Sequence, residues 1–250
     1  MNLIDTHCHL CDGRLYPQVA AVLERARAAG VHTVICAAGD LHESNTALGL
    51  ARRFRNVYCM AGVHPHDAKG AGAGFAASIE HILEDARCVA LGEIGLDYHR
   101  DLSPRPVQRR IFAEQLELGR RLGVPIVIHR RQAFEDTLEI LTGSGVAGER
   151  VVFHSCTEPA ENVRRMLDLG ALVSFSGIVT FKKSDYLRQA ARLVPHDRLL
   201  IETDAPYLAP EPANVARVAA CLARVRDTTP EQLADQTAAN ARRFFGLEQR

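Results

Sequence analysis

The chain has 250 residues, enough for one mid-sized domain and close to the ceiling for a single hydrophobic core. Its 30 basic and 30 acidic residues cancel, which excludes a whole-molecule field that draws in nucleic acid or an anionic membrane, so any polyanion must be gripped by a local patch. Seven scattered cysteines, several inside apolar runs (Cys36, Cys59, Cys88, Cys221), argue against a disulfide framework. With no leader-like start and no apolar run of about 18 residues, the protein is expected to be soluble and cytoplasmic.

Eight short runs of β-branched and apolar residues follow one another along the chain. They are Leu3-Ile4, Thr33-Val34-Ile35, Val57-Tyr58-Cys59-Met60, Val89-Ala90-Leu91, Ile126-Val127-Ile128, Val151-Val152-Phe153, Leu172-Val173-Ser174-Phe175 and Leu199-Leu200-Ile201. Segments of helical period lie between them, such as Pro17 to Ala29, Val107 to Leu122 and Ala160 to Leu169, several closing on glycine as helix C-caps do. Gly70-Ala71-Gly72-Ala73-Gly74 reads as a flexible loop, and Asn214 to Arg226 and Glu231 to Phe245 as two closing helices. Alternating strand and helix implies a parallel sheet. A doubly wound sheet has the same alternation, but eight strands in this length, with no G-x-G-x-x-G after the first, favour a closed barrel. The expected class is α/β, a single (β/α)8 TIM-type barrel forming one hydrolase domain over residues 1–250.

The residues able to hold a metal fall at the ends of these runs. His7 and His9 follow strand one, and alternation turns both imidazoles to one side. Glu93 follows strand four, His129 ends strand five, His154 ends strand six and Asp204 follows strand eight. All six are expected on the C-terminal rim, where barrel enzymes place their active sites. Imidazole and carboxylate suit zinc, manganese or magnesium, and a carboxylate can bridge two ions about 3.5–4 Å apart. Glu93 is the expected bridge, and Asp204 the expected ligand and general base. His32, His42 and His81 lie within or beside helices or at strand starts and read as ordinary histidines.

The motifs Ile4-Asp5-Thr6-His7-Cys8-His9, Gly62-Val63-His64-Pro65-His66, Gly92-Glu93-Ile94-Gly95-Leu96-Asp97-Tyr98, Pro125-Ile126-Val127-Ile128-His129-Arg130-Arg131, His154-Ser155-Cys156, Phe175-Ser176-Gly177 and Glu202-Thr203-Asp204-Ala205-Pro206-Tyr207 carry a family likeness. Over nearly its whole length the sequence resembles the TatD-type metal-dependent deoxyribonucleases of the amidohydrolase superfamily. The resemblance implies two divalent ions (magnesium, manganese or zinc) on the same six residues, with Asp204 and Glu93 catalytic. It further implies 3′–5′ exonuclease cleavage, by a two-metal-activated hydroxide, of DNA that is single-stranded or has a free end. His64 is implied to contact the scissile phosphate; His66 is left open.

Arg130 is expected to hold substrate, and Arg100, Arg131, Lys182 and Lys183 also follow rim motifs and could grip a phosphate backbone. Lys69 is the remaining lysine, so the cationic surface is mostly arginine. Tyr98 and Tyr207 either stack a base or pack the rim. In the family the run through Pro210 is normally followed by a short basic stretch, whereas here Pro210 abuts Glu211-Pro212, which implies a shortened rim loop. Two other readings keep the centre: hydrolysis of a small ester, lactone, amide or phosphoester, and a non-catalytic accessory scaffold. The protein is expected to act without a membrane and as a monomer. No lysine follows strand four, which sets aside the lysine-bridged branch of the superfamily.

Overall fold

The computed structural model of the protein describes residues 1–247. The last three residues of the expected 1–250 domain lie outside the described residues. Strands and helices alternate as β1 (Leu3–Cys8), α1 (Val19–Ala28), β2 (Val31–Cys36), α2 (Leu41–Arg53), β3 (Val57–Ala61), α3 (Phe75–Leu83), β4 (Cys88–Asp97), α4 (Arg105–Leu122), β5 (Ile126–Arg131) and α5 (Phe134–Gly143). They continue as β6 (Val151–Phe153), α6 (Ala160–Asp168), β7 (Leu172–Phe175), α7 (Asp185–Leu193), β8 (Leu199–Ile201), α8 (Val215–Val225) and α9 (Pro230–Phe245). The strands form one sheet in the order β1 to β8. This is the α/β (β/α)8 barrel class that the alternation predicts.

Two compact units make up the chain, Met1–Cys36 with His154–Arg250, and Ala37–Phe153. In the first, β1 pairs in parallel with β2 from Leu3↔Val31 to Cys8↔Cys36, and β7 pairs with β8. A bridge between Cys8 and Ala205 ties the end of β1 to the loop after β8, while α9 packs on β1 and β8. In the second unit β3, β4, β5 and β6 pair in sequence, all in parallel. Leu91, Ile94, Leu96 and Phe112 are among its fully buried side chains, so its strands are apolar on both faces, as parallel strands are.

Helix ends follow local chemistry. Asp40 caps α2 by accepting from Glu43 N at 2.8 Å, and Thr229 with Gln232 forms a capping box on α9. Gly123 closes α4 with a left-handed φ of 65°. Among the described residues no helix is long and apolar enough to cross a membrane.

Two strands run further than the apolar pattern predicts. β1 takes in Asp5, Thr6 and His7, and β4 continues through Glu93 to Asp97, every residue buried. Hydropathy falls at these polar residues, but their hydrogen bonds meet the cost of burial, so the strands continue. Inside β4, Gly95 (φ 143°) lies against the backbone of His129, where an added Cβ would collide with the carbonyl oxygen. Gly95→Ala is expected to cost about 3 kcal/mol or more of stability through this collision. Urea unfolding checks it, and a midpoint equal to the wild type would contradict the close approach of β4 and β5 at His129.

Candidate metal centre

The first unit brings His7, His9 and Asp204 together, and also His7, His154 and Glu202; in each group one ligand atom per residue lies within 4.8 Å of the others. Backbone hydrogen bonds build the arrangement. His9 N donates to Ala205 O at 2.7 Å and Asp204 N to His7 O at 2.9 Å, lacing the end of β1 to the loop after β8. Asp204 takes a left-handed φ of 53°, sparsely populated for such a residue, and its Oδ1 lies 3.4 Å from His9 Nε2. The ring of His7 stacks on that of His154 with centroids 3.9 Å apart.

Glu202 holds His154 in place. Its carboxylate accepts from His154 Nδ1 (3.1 Å), Ser155 N (2.6 Å), Ser174 Oγ (2.6 Å) and Thr6 Oγ1 (3.4 Å). A buried carboxylate so fully engaged orients a ligand rather than serving as one, and its bond to Nδ1 directs the His154 Nε2 lone pair outward. Asp5 acts similarly on the neighbouring loop, accepting from Thr203 Oγ1 (2.6 Å), Thr203 N (2.9 Å) and His7 N (3.3 Å). Burial pushes the Asp5 carboxyl up to about 8 against the pull of these donors. Burial would raise Asp204 too, but the hydrogen bond with His9 and the charges of His154, His9 and His7 prevail and hold it down at about 2. Asp204 is therefore ionised at neutral pH.

The second unit groups His64, Glu93 and His129. His129 Nδ1 lies 2.7 Å from Glu93 Oε1, and its Nε2 lies 3.1 Å from Asp97 Oδ2. Asp97 also accepts from His66 Nε2 (2.8 Å), His99 N (2.9 Å) and Arg100 N (2.8 Å). Burial opposes its ionisation, yet the bonds to His129, His66 and Arg100 hold it well below the usual carboxylate range. With the His129 Nε2 proton directed at this carboxylate, Nδ1 and Glu93 Oε1 become two electron-pair donors facing each other, an arrangement that a shared cation satisfies.

His64 differs. The backbone N–H of His66 donates to its Nδ1 at 3.1 Å, so the neutral ring carries its proton on Nε2, 3.6 Å from Glu93 Oε1. Burial drives His64 down to about 4 despite the charge of Glu93, so the ring is neutral at pH 7. Proximity alone would class His64 as a ligand; its tautomer makes it a hydrogen-bond donor.

These donor sets fit divalent ions: imidazoles and carboxylates, with His129 held by Asp97 and His154 by Glu202, are the usual provision for zinc, manganese or magnesium. A family model described as TatD related DNase matches residues 4–246. The chain belongs to the TatD related DNase family. It is 35% identical over 253 residues to the metal-dependent hydrolase YabD of Bacillus subtilis, covering 98% of this chain and 99% of that protein. It is 34% identical over 240 residues to the 3′-5′ ssDNA/RNA exonuclease TatD of Klebsiella pneumoniae, covering 91% of each. Among solved structures, the TatD homologue YjjV of Escherichia coli superposes with a TM-score of 0.91 at 27% identity, covering 98% of each chain. The protein is thus a metal-dependent hydrolase of the TatD type.

For this TatD-type chain, the structure gathers His7, His9, His154 and Asp204 in one unit and Glu93 with His129 in the other. Arg130 joins neither set: it is buried at 6% exposure, with its guanidinium 5.7 Å from the Phe134 ring centroid. Tyr98 packs, donating to Asp136 at 2.6 Å, whereas Tyr207 is 58% exposed with its ring 5.0 Å from that of His9. The rim turn after Tyr207 runs directly into Glu211, which caps the next helical turn and pairs with Arg25 at 2.6 Å.

Asp97, Glu202 and Asp5 hold the candidate donors and their loops by hydrogen bonds, and the sequence pattern assigns them no role. Strand periodicity held the signal for Asp97, since it lies four residues beyond Glu93 and so on the same side of β4. Asp97→Asn and Glu202→Gln are each expected to weaken divalent-metal affinity about 10–100-fold. Calorimetric titration with manganese checks this, and unchanged affinity in both would remove the orienting role.

Proposed function

We propose that the protein is a deoxyribonuclease, a 3′–5′ exonuclease acting on DNA that is single-stranded or has a free end. In this reading His7, His9, His154 and Asp204 hold one divalent ion, and Glu93 and His129 hold a second. Such ions would polarise the phosphodiester and acidify an attacking water. The chain works as a cytoplasmic monomer.

The observation that carries the reading is His64, a buried neutral imidazole presenting Nε2–H beside Glu93. A phosphoryl oxygen is an acceptor that gains charge in the transition state, and a fixed neutral donor favours it without repelling the ions. Asp204, ionised and aimed by its left-handed backbone, can take the proton that the water loses. The direction of digestion is supported by the exonuclease names of the Klebsiella relative and of one from Erwinia amylovora, 36% identical over 241 residues.

End-labelled single-stranded DNA incubated with metal-free protein, to which magnesium, manganese or zinc is then returned, tests the proposal. Stepwise shortening from the 3′ end that needs metal and is lost in Glu93→Ala is the expected result. Intact DNA alongside hydrolysis of a lactone or small phosphoester would replace the nuclease reading with a small-substrate one. His64→Ala is expected to lower kcat about 10²–10³-fold, the usual effect of removing one transition-state donor. Its metal content, read by atomic absorption, should stay unchanged; loss of an ion would make His64 a ligand.

A further inference from the structure

Seven large hydrophobic side chains among the described residues are exposed, and two of them, Phe181 (48%) and Tyr186 (47%), lie within one six-residue segment. The same segment carries Lys182 and Lys183, both exposed, which are two of the three lysines in the chain. Exposed aromatics interleaved with cations are unusual on a surface with no charge excess.

The segment starts from the donor set of the first unit. Ser176, just after β7, meets Ser155 Oγ at 2.8 Å, and Ser155 follows His154. At Gly177 a Cβ would collide with the carbonyl oxygen of Leu208, so the backbone after β7 lies directly against the loop that follows Asp204. The segment is also rigid. Arg188 donates from its guanidinium to Val179 O (2.7 Å), Phe181 O (3.0 Å) and Lys182 O (3.3 Å). Ser184 Oγ donates to Ile178 O and Thr180 Oγ1 to Gly177 O, each at 2.7 Å. Asp185, the acidic side chain in the segment, is paired with Arg188 at 2.6 Å. The backbone is thus ordered before any ligand arrives, while the side chains of Phe181, Lys182 and Lys183 stay in solvent.

We infer that Phe181–Tyr186 is a tracking surface for a single nucleic-acid strand, with Lys182 and Lys183 holding backbone phosphates and Phe181 and Tyr186 stacking bases. Cations along a backbone path beside sequence-tolerant stacking platforms are how proteins hold single strands, and prior ordering lowers the entropy lost on binding. The surface rests on the nuclease reading for the identity of the strand as substrate, and it selects an unpaired strand because base faces in a duplex are already stacked.

The test uses the full-length, manganese-loaded protein and a fluorescent oligothymidylate with phosphorothioate 3′ linkages to limit cleavage. Binding anisotropy is followed against salt for the wild type, the double variant Lys182→Gln/Lys183→Gln, and Phe181→Ala. The double variant should bind at least about tenfold more weakly at low salt and lose about 1.4 from the slope of log affinity against log salt, about 0.7 for each phosphate contact. Phe181→Ala should bind about 5–100-fold more weakly with an unchanged slope. Turnover of bis(p-nitrophenyl) phosphate should be as in the wild type in all variants. Wild-type affinity and slope in the variants, while the wild type binds and cuts DNA, would overturn the tracking surface and leave the nuclease reading standing. A wild type that neither binds nor cuts the strand would overturn both.

Discussion

Everything in this protein turns on imidazoles and carboxylates brought together in closely spaced groups within 4.8 Å of one another. His129 Nδ1 and Glu93 Oε1 stand 2.7 Å apart, and the other ring nitrogen of His129 is occupied by Asp97. In the first unit His7 stacks on His154, and His9 faces the ionised Asp204, while Glu202 secures the far side of His154. Burying such groups without compensation would cost several kcal/mol each. A divalent ion removes the cost, which is why the donor sets imply metal more strongly than any single histidine does.

That demand shapes the backbone. β1 and β4 extend through polar residues where hydrogen bonds meet them: Thr203 N and His7 N donate to Asp5, and Gln108 Oε1 accepts from Asp97 N at 2.9 Å. Asp204 and Ser155 sit at positive φ, where strain is tolerated because the surrounding bonds over-determine them. Gly95 and Gly177 stand where no side chain fits, each beside a residue or loop of the site. Stability and function therefore draw on the same residues, so gains in stability should be easier to find on the outer helices than here.

The barrel class was legible because eight buried parallel strands leave eight apolar runs, and the candidate donors His7, His9, Glu93, His129, His154 and Asp204 because each stands at the margin of one. Three things were not legible. Strand ends were hidden where polar residues are buried, so Glu93 reads as following a strand although it lies inside β4. The orienting carboxylates Asp97 and Glu202 were hidden because their role depends on which atoms they meet, and hydropathy carries no such information. For His64 the sequence could offer only adjacency to the rim, whereas one backbone hydrogen bond from His66 settles which nitrogen carries the proton.

Anomalous diffraction from manganese-soaked crystals tests the central claim most directly. The account predicts one peak within bonding distance of His7, His9 and Asp204, and another bound by Glu93 and by His129 through Nδ1, with Asp97 and Glu202 still bonded to their imidazoles and His64 Nε2 outside the coordination sphere. Peaks coordinated by His64 Nε2 or by Asp97, or the absence of any peak at these donor sets, would contradict it.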